Sequence, residues 1–84
     1  MTGPAWGDEI AETVDRLGET VRVGDAIGRT YGQTLDGAPR IVGEPVEVVK
    51  ILAHPGGGGR PDLALIFGAG NTGAWNHDAV KVDA

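Results

Sequence analysis

The only His-carboxylate constellation in this sequence is made by His54, His77 and Asp78, residues of types that suit acid–base or metal chemistry. His54 opens the run His54-Pro55-Gly56-Gly57-Gly58-Gly59-Arg60-Pro61-Asp62, and His77-Asp78 lies near the end of the chain. A catalytic zinc site takes three protein ligands and leaves a position open. Here that would need His54, His77 and a carboxylate such as Asp25 or Asp62 to converge. Sequence neighbours in extended chain point to opposite faces, so His77-Asp78 is not by itself a ligand pattern. There is no Cys, so thiolate metal sites and disulfides are both excluded. Threonine hydroxyls such as Thr20 and Thr30 have no second His beside a suitable base, which argues against a hydrolase triad. The sequence therefore designates no catalytic residue, no metal ligand and no cofactor site.

Two glycine-rich stretches invite a phosphate reading. Gly68-Ala69-Gly70-Asn71-Thr72-Gly73 matches G-x-G-x-x-G after an apolar run. A dinucleotide site also needs a helix opening at the third glycine and a second parallel strand. The few residues after Gly73 carry no helical stripe, so a glycine-rich turn is the reading. The run from His54 to Arg60 lacks the Lys-Ser/Thr ending of a P-loop and leads into a strand rather than a helix.

The elements that position these residues are short. Val46-Glu47-Val48-Val49-Lys50-Ile51-Leu52-Ala53 and Leu63-Ala64-Leu65-Ile66-Phe67 are apolar, β-prone runs. Prolines and glycines separate them, which predicts a long-looped β-hairpin with a flexible glycine-rich loop over 54–62. In the first run, Val48, Lys50 and Leu52 share one face and Val49, Ile51 and Ala53 the other. Val21-Arg22-Val23, Ala26 to Tyr31 and Ala79-Val80-Lys81-Val82 read as further strands. Gly32 to Gly43 reads as loop, with Arg40-Ile41-Val42 a short strand inside it. Tyr31 and Phe67 are assigned to the core.

Residues 8–17 predict a helix. Ile10, Val14 and Leu17 recur at i, i+4 and i+7, Asp8 can cap the start, and Gly18 can end it. Trp6 is expected to staple that helix to the sheet. With no βαβ period and no repeat, the fold class is mainly β: a small, partly closed barrel of four to five strands with one short N-terminal helix. One domain spans 1–84, with the barrel over 20–84.

Val21-Arg22-Val23-Gly24-Asp25-Ala26-Ile27, followed by the hairpin, resembles the opening of SH3-like barrels. The resemblance spans residues 20–84 and implies architecture alone. One Tyr, one Phe and two Trp do not furnish the aromatic groove of the peptide-binding SH3 domains.

Charge and composition narrow the function. The net charge is -5, and the seven Lys and Arg residues are scattered, which argues against nucleic acid. No apolar stretch approaches a membrane span, and the N-terminus lacks a signal-peptide pattern, so the expected address is the cytoplasm. The richness in Gly, Ala, Val, Asp and Arg suits a GC-rich source, actinobacterial or phage. The sequence thus suggests a non-catalytic, acidic protein-interaction module whose partner is a host protein or a second copy. The candidate partner-binding residues are Trp75, His54, Arg60 and His77. The alternatives are a small-ligand or anion binder using the glycine-rich loops, and a metal-dependent enzyme around His54, His77 and Asp78.

Overall fold

The computed structural model describes residues 5–82. They form seven strands: β1 Glu12–Val14, β2 Thr20–Arg22, β3 Ala26–Gln33, β4 Pro39–Ala53, β5 Ala64–Gly68, β6 Thr72–Trp75 and β7 Ala79–Val82. β1 and β2 make a two-stranded hairpin. The other five form an antiparallel sheet in the order β6-β5-β4-β3-β7. The protein is mainly β, as its composition of short β-branched runs implies.

The hairpin expected around the glycine run is present, with β4 pairing β5 from Val48↔Gly68 to Ala53↔Ala64. The face assignment within it needs correction. The register slips between Val48 and Lys50, leaving Val49 as an extra residue. A bulge of this kind turns the following residues to the other face. Val48, Ile51 and Ala53 therefore all point inward, while Val49 is exposed. They join Val21, Ile27, Ala64, Ile66 and Ala79 in the core, with Ile10, Val46 and Ala74 packed against it.

No α-helix forms among the described residues, so the helix expected over 8–17 is overturned. Residues 7–10 run beside the end of β4: Gly7 N–H donates to Ala53 O (2.7 Å), Ala53 N–H to Asp8 O (2.8 Å) and Ile10 N–H to Ile51 O (2.9 Å). The segment then enters β1. A three-turn helix is marginal in isolation, and here the β4 backbone offers those peptide groups partners that a helix would forgo. Asp15 also competes for backbone donors at the point where helix would continue. The apolar stripe is not buried as a unit, because Leu17 is 64% exposed. Trp6 accordingly has no helix to staple.

The partly closed barrel of four to five strands is likewise not formed; seven strands divide between two separate sheets. The five-stranded sheet ends in two different strands, β6 and β7, which do not pair with one another. The segment expected to be loop over Gly32–Gly43 is mostly strand: β3 continues to Gln33, β4 begins at Pro39, and the reversal is confined to Thr34–Ala38. β7 pairs β3 only from Ala26 to Arg29, so the outer halves of β3 and β4 project as a two-stranded arm. Tyr31 lies on that arm, 78% exposed, and does not belong to the core. Phe67 is half-buried, with the Lys50 ammonium 5.0 Å from its ring centroid.

Two buried polar side chains hold these pieces together. The Asn76 side chain is fully buried. Its Oδ1 accepts from Ala64 N–H (2.9 Å), and its Nδ2 donates to Val14 O (2.9 Å) and Asp62 O (3.1 Å). Asp15 is 3% exposed, and its carboxylate accepts from the N–H groups of Leu17 (2.8 Å), Glu19 (2.9 Å) and Lys81 (2.7 Å). The β1–β2 hairpin is thereby tied to β5 and β7. Near the start of β3, the Asp25 carboxylate lies below the usual aspartate range, chiefly because Arg22 N–H donates to it, with Lys81 and Arg22 charges adding.

Truncating either side chain strands buried peptide groups, each costing about 1–3 kcal/mol. Asn76→Ala and Asp15→Ala are each expected to lower unfolding free energy by about 2–4 kcal/mol. Gln33→Ala, on the exposed arm, should change it by less than about 0.5 kcal/mol. Urea titration of the three variants checks the ranking, and equal midpoints for all three would refute it.

Candidate functional site

The loop after β4 reverses the chain through a short 3-10 turn, Gly57–Gly59. Gly56, Gly58 and Gly59 have φ of 82°, 60° and 78°. Side-chain-bearing residues rarely adopt such angles, so the glycine run is what allows this path. Backbone bonds fix its course: Gly57 N–H to His54 O (3.0 Å), Gly56 N–H to Arg60 O (2.9 Å) and His54 N–H to Leu63 O (2.9 Å).

This path brings three rings together. His54 leaves the end of β4, Trp75 ends β6, and Trp6 lies just before the N-terminal segment beside β4. The Trp6 and His54 ring centroids are 4.4 Å apart at 72°, and those of His54 and Trp75 are 5.4 Å apart at 77°. Both are edge-to-face arrangements, the geometry the ring quadrupoles favour. His54 is half-buried between the indoles, and its Nδ1 is buried without a hydrogen-bond partner among the described residues. Trp6 is 62% and Trp75 39% exposed, so the three rings form a ridge open to solvent.

A shallow depression beside the ridge is lined by Gly57, Gly58, Arg60, Leu63, Trp75 and Asp78. Of the four candidate partner-binding residues, the fold thus unites Trp75, His54 and Arg60. His77 turns elsewhere, its Nε2 3.1 Å from Asp62 Oδ1. Among the described residues no group of three or more His, Asp or Glu side chains gathers to hold a metal ion. Asp25, the other carboxylate considered, lies 3.5 Å from the Lys81 ammonium. Gly68 to Gly73 forms the tight β5–β6 reversal, with Gly70 and Asn71 at positive φ, so the glycine-rich turn is as expected.

The sequence suggests that Trp6 staples the helix expected over 8–17, which does not form, and so does not reveal its place beside His54. Nothing local signals that contact, which depends on residues 7–10 pairing with β4. Comparison with family models, curated proteins and solved structures finds no match to the chain. Among the described residues no helix is long and apolar enough to cross a membrane.

Gly57 is a sensitive point of the ridge. A Cβ there would lie 2.7 Å from Leu63 Cδ2 and 3.1 Å from Trp6 Cζ3. Both are ends of side chains that can move, so Gly57→Ala should fold while displacing the Trp6 indole. The expected readout is a shift in tryptophan emission in Gly57→Ala that is lost when Trp6→Phe is added. An unchanged spectrum would show that Trp6 does not rest on this turn.

Proposed function

We propose that this chain is a non-catalytic protein-interaction module that engages a partner protein, or a second copy, through the Trp6–His54–Trp75 ridge. The observation that carries the reading is the ridge itself. Two large indoles remain substantially exposed, yet each is held edge-on against a histidine anchored at the end of β4. Rigid, exposed aromatic side chains lose little entropy on docking and dominate binding energy at interfaces. Arg60, beside Trp75, adds a bidentate hydrogen-bonding group of the type enriched in such patches. His77, held against Asp62, stands apart from this surface and is not part of the proposal.

The SH3-like resemblance is kept as part of this reading, for an open sheet. It is supported by the turn at Gly24-Asp25, where Asp25 N–H donates to Arg22 O, leading into the buried start of β3. A metal-dependent reaction around His54, His77 and Asp78 finds less support, since His54 is flanked by indoles and His77 faces Asp62.

Affinity capture with the immobilised protein and with Trp6→Ala and Trp75→Ala variants tests the proposal, alongside sedimentation for self-association. Partner capture or self-association should fall at least about tenfold in Trp75→Ala, the loss expected for an interface anchor, with cooperative melting retained. Parent-like binding by both variants would overturn it.

A further inference from the structure

A second concave surface lies between the outer half of β3 and the edge strand β6. Its lining includes Arg16, Arg29, Thr30, Gly73, Trp75 and Asp78, in a groove of about 360 Å3 open to solvent. Two of the seven basic side chains of an acidic chain meet here. Neither arginine has a carboxylate within 4.0 Å among the described residues, Asp78 included. Arg16 Nη1 reaches only the Thr30 hydroxyl, at 3.4 Å. Arg29 Nε is buried without a partner, while its Nη2 lies 3.2 Å from where a Cβ on Gly43 would sit. The Arg29 side chain is therefore laid across β4 at a position that glycine leaves clear.

A buried guanidinium nitrogen without an acceptor is costly. Guanidinium groups are built to take carboxylate or phosphate oxygens through paired N–H donors. The groove wall opposite is β6, which is paired on one side only, by β5. Gly73 at its centre carries no side chain to shield the backbone, and such a glycine suits close approach by another strand. An unpaired edge can accept an extended segment through main-chain hydrogen bonds, with side-chain pockets setting specificity.

We infer that an extended acidic peptide segment of a partner protein docks in this groove, adding to the free edge of β6 and presenting carboxylates to Arg16 and Arg29. This rests on the interaction reading above and supplies the partner's chemistry. The occupant follows from charge complementarity: two uncompensated cations against one acid, Asp78, within the groove. Trp75 lines both the groove and the depression beside the ridge, so one partner can span the two surfaces.

The test is a nitrogen-15 NMR titration of the protein with a terminally capped octapeptide alternating Glu and Thr. The control is the same peptide with Gln replacing Glu, and separate arms use inorganic phosphate and acetate. The acidic peptide is expected to shift the amides of Gly73, Ala74 and Trp75 together with the Arg29 side-chain N–H. Arg16→Gln and Arg29→Gln should each weaken it by about tenfold, as loss of a charge-assisted bond implies. Arg40→Gln, outside the groove, should have no effect. If Arg29→Gln does not fold, Arg16→Gln and the salt dependence of the parent decide. Equal binding of the Gln peptide, or an acidic peptide that leaves the β6 amides unmoved, overturns the inference. So does phosphate shifting Arg29 N–H while β6 stays silent, which would assign a simple oxyanion site. Any of these outcomes with Trp75-dependent partner capture intact would leave the interaction module standing and remove only the groove.

Discussion

Three peptide groups converge on the side chain of Asn76, and the arrangement of the sheet depends on their meeting there. The N–H of Ala64 begins β5, the carbonyl of Val14 ends β1, and the carbonyl of Asp62 leaves the glycine loop. None is paired by a neighbouring strand at that point, and all three meet at a side chain that is itself fully buried. One primary amide supplies one acceptor and two donors in the right directions. An apolar side chain of similar size would fill the volume and leave all three unsatisfied. Asp15 does the corresponding work just after β1, gathering N–H groups from its own turn and from β7. Between them these two residues replace the closure that strand pairing does not provide.

This way of joining the parts explains which features were legible in the sequence. The β4–β5 hairpin, the strand at 79–82 and the turn at Gly70-Asn71 follow from local composition, and they stand in the structure where the residues imply. The helix at 8–17 failed because an i, i+4, i+7 pattern cannot report a backbone partner distant in sequence. Ile10 is held by Ile51, and that pairing outweighs weak helical propensity. The face assignment of β4 failed at one residue: strict alternation assumes no bulge, and Val49 breaks it. Asn76 gave no signal, and Asp15 read as the wet side of the expected helix, since a short polar residue reads as solvent-exposed unless its distant partners are known.

The site was legible in part for the same reason. His54, Arg60 and Trp75 flank turns, and turn-flanking residues stay close once the hairpin forms. Trp6 and the Arg16–Arg29 pair come from segments brought together only by tertiary bridges. Periodicity and motif spacing carry no information about such meetings. In a chain this small, with a core of Val, Ile and Ala, Tyr31 was also easy to assign inward. The core has little room for large rings, and Tyr31 is displayed on the outside, as Trp6 and Trp75 are.

The arm formed by the outer halves of β3 and β4 has a consequence for engineering. Its reversal is closed locally, by Thr34 N–H to Ala38 O and Gly37 N–H to Thr34 O, with Asp36 accepting from the Thr34 hydroxyl and held below its usual titration range by that bond. No residue between Gly32 and Ala38 is buried. The tip is thus mechanically decoupled from the core that Asn76 and Asp15 organise. Exposed loop tips of this kind accept inserted sequence readily, which makes residues 34–38 a natural port for grafting a foreign epitope or a fluorescent tag.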